Sequence, residues 1–305
     1  MAKPPPPDLV IGIASSALFD LSTADAVYRQ DGVEAYRAHQ RTHEREVLAP
    51  GPAFPFIRRL LSLNRDLAVP VVEIVLISHN DADTGLRVRL SCEEHRLRLG
   101  RMAFTGGRAP WPFLDAFGTH LFLTRNAADV NAAIAAGAAA GEILPTATQD
   151  DDGDELRIAF DFDSVLADDS SDRIYAREGL AAFYAHEADH AEIPAAPGPL
   201  IRLLRAIAVV QGKLRAASGE SRLRTAIVTA RNWPADRRVV TTLRAWGLPV
   251  DEAYFLGDAP KEPVLRQLRP HIFFDDRRAN VDRACFAGPA VHVPFGINNR
   301  EIGGA

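Results

Sequence analysis

Four polar groups in the second half of this 305-residue chain carry the chemistry its sequence can do, and each follows a short apolar run. Asp161 and Asp163 follow residues 156–160 (LRIAF), Thr229 with Ala230 and Arg231 follows residues 225–228, Lys261 follows the turn at 257–260, and Asp275 and Asp276 follow residues 271–274. Alternate residues of extended backbone point the same way, so Asp161 and Asp163 can leave a strand end toward one site. Open α/β sheets place ligands beyond the carboxyl ends of their strands. Carboxylates gathered there repel one another and repel a phosphate, so the set makes sense around a hard cation. Mg²⁺ takes oxygen ligands, keeps several waters and bridges carboxylates to a phosphate. With charge neutralised, one aspartate can attack phosphorus and form an aspartyl-phosphate, while the other protonates the leaving oxygen and then activates water. Thr229 and Lys261 suit the phosphoryl oxygens, and Lys261 also balances the nucleophile's charge. A lone D-x-D also caps helices and makes turns; four groups in this order, each after a strand, argue for a site.

The elements that must position these groups are written twice. Residues 10–39 align without a gap on residues 157–186, setting Asp25 on Asp172, Tyr28 on Tyr175, Gly32 on Gly179 and His39 on His186. Further on, Ser78 meets Thr229, the turn at 107–110 (GRAP) meets 257–260 (GDAP), and 120–122 (HLF) meets 271–273 (HIF). At the chemical positions the first half reads Ala14, Ser16, Ser78, Trp111, and Thr124 with Arg125. A repeat that keeps its frame but lacks the acids marks those acids as chemistry and leaves the first half catalytically silent. Two roles stay open to that half. One is structural, burying a face of the active half or building a homo-oligomer. The other is a nucleoside or regulatory site formed through Phe19, Asp20, His79, Asn80, Arg87 or Arg108, with helix capping as the competing explanation of Asn80.

Residues 1–8 read as a flexible proline-rich leader. Strands are expected at 9–14, 71–77, 102–105 and 120–123, with helices at 22–47, ending near 96, and over the alanine-rich 126–140. The second half restarts with strands at 156–160, 225–228, 253–256 and 271–274. The βα alternation implies parallel pairing with helices on both faces. The expected fold is α/β: two tandem doubly wound parallel-sheet domains, residues 9–145 silent and 156–305 catalytic, joined by an acidic linker at 146–155, with a small helical cap around 166–222.

Composition narrows the partners. A net charge of −5 with no long basic run excludes a nucleic-acid backbone as the main partner. Cys92 and Cys285 are the two cysteines, without a C-x-x-C pair, so neither a disulfide scaffold nor a cysteine zinc site is expected, as suits a reducing cytoplasm. No run approaches the ~20 apolar residues of a membrane span, and the apolar stretch at 9–21, preceded by prolines and interrupted by Asp20, reads as a strand and turn rather than a signal peptide. His186, Glu187 and His190 match H-E-x-x-H, a helical zinc signature. The first half keeps His39 and His43 but has Gln40 in place of the Glu, and no third ligand is evident, so a cap or surface helix is expected instead.

The second half resembles the haloacid dehalogenase superfamily of phosphatases, with D-x-D-x-V at 161–165, a hydroxyl at Thr229, a lysine at Lys261 and the acidic pair Asp275 and Asp276. Nearly the whole chain after the leader resembles the cytosolic type I 5′-nucleotidases, through ALFDLSTADAVYR, SHNDADTGLRV, FTGGRAP, RIAFDFDSVLADDSSDRIYAREGL, IVTARN, EAYFLGDAPKEPVL, RPHIFFDD and VHVPFGI. That resemblance implies Asp161 as nucleophile and Mg²⁺ ligand, and Asp163 as general acid/base whose main-chain carbonyl also meets the metal. It implies Thr229, Ala230 and Lys261 as phosphate contacts, Asp275 and Asp276 as completing the metal site, and Arg231 as a substrate contact. It further implies Mg²⁺-dependent hydrolysis of nucleoside 5′-monophosphates, AMP leading. The four motifs themselves specify only phosphoryl chemistry, so a phosphatase of another small ester and a non-enzymatic nucleotide sensor are the alternatives.

Overall fold

The computed structural model describes residues 6–146, 150–151 and 153–299; part of the leader, positions 147–149 and 152 of the acidic connector, and residues 300–305 lie outside the described residues. Apolar, β-branched runs form the strands and periodic segments the helices between them. In chain order the first half holds β1 (Leu9–Ile13), α1 (Ser15–Leu18), α2 (Ser22–Thr42), α3 (Phe54–Ser62), β2 (Val72–Ser78), α4 (Gly85–Glu94), β3 (Arg101–Phe104), α5 (Leu114–Phe117), β4 (Leu121–Thr124), α6 (Ala127–Ala135) and β5 (Ala140–Ile143). The second holds β6 (Leu156–Phe160), α7 (Ser170–Asp189), α8 (Ile201–Ser218), β7 (Leu223–Thr229), α9 (Asp236–Trp246), β8 (Glu252–Phe255), α10 (Glu262–Leu268), β9 (Ile272–Asp275), α11 (Arg278–Ala284) and β10 (Ala290–His292). The long helices α2 and α7 break at Gly32 (φ 81°) and Gly179 (φ 84°), a left-handed conformation that favours glycine. Among the described residues no helix is long and apolar enough to cross a membrane.

All ten strands form one sheet, in the order β3-β2-β1-β4-β5-β10-β9-β6-β7-β8. Neighbours are parallel except β5 and β10, which run antiparallel with Ile143 opposite Val291 and Glu142 opposite His292. The two expected sheets are therefore joined edge to edge, through strands the sequence reading did not assign. Residues 136–143 continue an alanine-rich composition that reads as helix, but α6 stops at Ala135 and Gly137 turns the chain out at φ 82°. β10 is three residues long, too short for a periodic signal.

This junction orients everything else. β5 runs with β4 and β1, whereas β10 runs against β5 and with β9 and β6. The carboxyl ends of the first-half strands thus lie on one edge of the sheet and those of the second half on the opposite edge. Five inter-strand steps separate β1 from β6, roughly 24 Å at about 4.8 Å per step.

One hydrophobic core includes Leu9, Ile11 and Ile13 of β1 together with Leu156, Ile158 and Phe160 of β6. Helix α8 buries Leu203, Leu204, Ile207, Val210 and Leu214 and packs against β1. The stretch expected as a cap is therefore divided, with α8 inside the core. Each half also repeats one polar contact: His120 Nδ1 accepts the Val10 N–H at 3.0 Å, and His271 Nδ1 accepts the Arg157 N–H at 3.0 Å. Burial, reinforced by Arg59 and Arg157, pushes the His271 imidazole down to about 4.

Two outcomes follow. A Cβ on Gly141 would overlap Val291 across the junction, so Gly141→Val should lose about 1–3 kcal/mol of stability in urea unfolding, partly recovered by adding Val291→Ala. His271 binds its proton less readily folded than unfolded, where it titrates near 6.5, so its contribution is lost as pH falls from about 6.5 toward about 4. The urea midpoint should decline across that window, and decline less in His271→Gln.

Candidate active site

The last backbone bond of β6 sets the first acid. The Asp161 N–H donates to Phe274 O at 2.8 Å, which brings the Asp161 carboxylate beside Asp275 at the end of β9. One carboxylate oxygen each from Asp161, Asp275 and Asp276 lies within 4.8 Å of the other two, and all three side chains are buried. Lys261, just before α10, reaches into this group: its Nζ is 2.7 Å from Asp161 Oδ2 and 2.7 Å from Asp275 Oδ2. Asp275 also accepts from the Arg277 N–H (2.8 Å) and from Asn280 Nδ2 (3.1 Å). Among the described residues the Asp276 carboxylate has one hydrogen bond, from Asn298 Nδ2 at 3.0 Å.

One ammonium thus faces three buried carboxylates. Burial pushes the Asp161 carboxyl above the usual range in spite of Lys261. Burial pushes Asp276 up to about 9, with Asp161 and Asp275 adding to the effect and Asn298 opposing it. Burial alone would lower Lys261, but Asp161 and Asp275 outweigh it and hold the ammonium above the ordinary lysine range. The cluster is short of positive charge, and its all-oxygen donor set fits a hard divalent cation. A second acidic group, Asp150 and Asp151 with His271, lacks that deficit: Arg59 binds both aspartates and Arg157 binds Asp151.

Asp163, two residues on, is held by a different cation. Arg231 Nε and Nη2 donate to its two carboxylate oxygens at 2.8 and 2.7 Å. The remaining Arg231 N–H groups go to Glu187, the Ser171 hydroxyl (2.9 Å) and Ala235 O (3.3 Å). Arg231 is 2% exposed and has no donor left over. The guanidinium expected to contact substrate has its five donors committed inside the protein, two of them to Asp163. Glu187, fully buried, also accepts from Ser171 Oγ (2.8 Å) and Arg238 Nη1 (2.9 Å). That resolves the H-E-x-x-H motif. Its Glu is the counter-ion of two arginines rather than a base, and His190 Nδ1 lies 2.8 Å from the main-chain oxygen of His186.

Thr229 is buried at the end of β7, its Oγ1 accepting the Arg231 N–H at 3.2 Å, and Ala230 beyond it is exposed. Sequence reasoning missed Asp172. Its carboxylate accepts from Ser164 Oγ at 2.7 Å and Arg277 Nη2 at 3.2 Å, and burial, then Asp163, raises its carboxyl. The repeated Asp25 and Asp172 were the available signal. Phe19, Asp20, His79 and Asn80 are not brought to the acids. Phe19 is fully buried and stacked on His95, Asp20 accepts from the Ser22 N–H at 2.9 Å, and His79 and Asn80 follow β2 on the opposite edge of the sheet.

The sequence profile of the 5′-nucleotidase family matches residues 1–300. The chain belongs to that family. Human (Homo sapiens) cytosolic 5′-nucleotidase 1B is 37% identical to it over 309 residues, covering 97% of this chain and 50% of that protein. The chain spans about half the length of this curated relative. Among solved structures, histidinol dehydrogenase from Elizabethkingia anophelis aligns over 91% of this chain and 51% of that one, at 9% identity and a TM-score of 0.24, which carries no argument about fold.

Removing the shared counter-ion should be severe. Glu187→Ala leaves Arg231 and Arg238 buried and unpaired, so a loss of about 3–5 kcal/mol is expected in urea unfolding. Glu187→Gln, which keeps the shape and one acceptor, should lose less, and His190→Ala should stay within about 1 kcal/mol of the parent.

Proposed function

We propose that this chain is a Mg²⁺-dependent 5′-nucleotidase, hydrolysing nucleoside 5′-monophosphates such as AMP to nucleoside and phosphate through an aspartyl-phosphate on Asp161. The observation that carries the reading is Lys261 bridging Asp161 and Asp275 beside the under-compensated carboxylate of Asp276. The family and the relative's name support the substrate class. Asp161, Asp276 and the Asp163 main-chain carbonyl would hold Mg²⁺, which would supply the charge neutralisation that lets an anionic phosphate approach an anionic nucleophile. Asp276 is assigned the direct contact because Asp275 is already engaged by Lys261, Asn280 and the Arg277 N–H.

The protein's own groups do the rest. An Asp161 oxygen forms a bond to phosphorus as the bond from phosphorus to the 5′-oxygen breaks, and Asp163 gives that oxygen its proton. Water then attacks the phosphoryl group, Asp163 takes the water's proton, and Asp161 is released with orthophosphate. Lys261 and Thr229 hold the phosphoryl oxygens, with the exposed backbone at Ala230. The Arg231 pair favours ionised Asp163, the form needed to activate water; as an acid Asp163 must turn from Arg231 toward the crevice. In the same reading the chain is a tandem duplication with a silent first half and a catalytic second half, α7 serves as the cap, and the setting is cytoplasmic. The matching strand orders of the two halves and the paired breaks at Gly32 and Gly179 support the duplication.

Phosphate release from a panel of nucleoside and sugar monophosphates, with Mg²⁺ present, tests the reading. Nucleoside 5′-monophosphates should be the best substrates. Asp161→Asn should fold with an unchanged circular dichroism spectrum and lose turnover by about three orders of magnitude or more. Retained turnover in that variant overturns the mechanism, and preference for sugar phosphates overturns the substrate class.

A further inference from the structure

On the opposite edge of the sheet, the first half carries a solvent-open cleft of about 760 Å³ at the carboxyl ends of β1, β2 and β4. It occupies in that half the place the acidic crevice occupies in the other, but Ala14 and Ser16 stand where Asp161 and Asp163 do. Its floor is made of hydroxyls: Ser15 Oγ and Ser78 Oγ are 2.8 Å apart, and Thr124 adjoins them. Arg29 and Arg125 stand at its wall, and among the described residues neither is held in an ion pair. The cavity's third arginine, Arg37, is tied to Asp81 at 3.0 Å and Glu34 at 2.7 Å. Asp25 lies near both unpaired arginines, and burial raises its carboxyl, which weakens its claim on them.

Another wall is aromatic. Tyr28 is 55% exposed and meets Tyr36 edge to face at 6.0 Å. The Tyr36 hydroxyl donates to Asn80 Oδ1 at 3.1 Å, and Asn80 Nδ2, shut off from solvent, finds no partner. A buried donor left unmade costs about 1–3 kcal/mol, which a nearby acceptor would relieve. Unpaired cations, hydroxyls and an exposed ring lining one cavity match a ligand that carries both an anionic group and a flat aromatic group. The volume is that of a small-molecule site.

We propose that this cavity binds a nucleoside phosphate, its phosphate toward Arg29, Arg125 and Ser78 and its base against Tyr28. The site is separate from the acidic crevice, since β1 and β6 are about 24 Å apart and their carboxyl ends lie on opposite edges. It has Ala14 and Ser16 in place of the carboxylates of Asp161 and Asp163, so it holds its ligand without forming an aspartyl-phosphate.

Equilibrium dialysis of labelled AMP against the full chain carrying Asp161→Asn tests this. The expected uptake is two molecules per chain, with one weakened at least tenfold by adding Arg125→Ala or, independently, Tyr28→Ala. In the otherwise native chain both substitutions should leave hydrolysis of a small aryl phosphate unchanged. Uptake of one molecule that Arg125→Ala and Tyr28→Ala both weaken would support the cavity and count against the acidic crevice as an AMP site. Uptake that neither substitution alters overturns the proposal.

Discussion

The contact on which the acidic crevice depends is the ammonium of Lys261 set between two buried carboxylates, 2.7 Å from each. It ties together β6, β9 and the start of α10, which are distant in sequence. Removing charged groups from water is unfavourable unless they are paired, and here the pairing is incomplete by design of the site. Lys261 compensates Asp161 and Asp275, while Asp276 keeps a carboxylate with a single amide donor. Burial, with Asp161 and Asp275 adding to it, raises the Asp276 carboxyl, and the shortage of positive charge makes the cluster receptive to a divalent cation.

Asp163 belongs to a second, balanced network. Arg231 and Arg238 share Glu187, Ser171 links to both Glu187 and Arg231, and Arg231 passes the restraint to Asp163 in a bidentate pair. Two aspartates separated by one residue are therefore held by different cations under different constraints. Asp161 is tied to Lys261 in the buried cluster, and Asp163 is tied to Arg231 with its side chain 15% exposed. In the first half Gln40 takes the place of Glu187 and accepts from Arg87, preserving the helix contact without the charge.

The antiparallel pairing of β5 with β10 decides how the two halves can cooperate. Had the second half extended the sheet in parallel, both crevices would share an edge. Reversing it at one strand pair places them on opposite edges, with one core beneath both. The first-half crevice holds Ala14 and Ser16 at the end of β1, where the second-half crevice holds Asp161 and Asp163 at the end of β6.

Much of this was legible in the sequence. Apolar runs placed eight of the ten described strands, because buried parallel strands are continuous hydrophobic segments, and Asp161, Asp163, Thr229, Asp275 and Asp276 stand at or just past strand ends, with Lys261 at the start of α10. The repeat singled out the acids. β5 and β10 escaped notice because four and three residues of mixed composition carry no period, and with them went the orientation of one half to the other. The roles of Arg231 and Glu187 were equally out of reach, since a charged side chain is indistinguishable in sequence whether it faces solvent, substrate or a buried partner. Sequence alone determined which chemistry was available, through residue type and local spacing. Only tertiary structure decided which charge compensates which, and on which edge each crevice lies, because both depend on contacts between segments many residues apart.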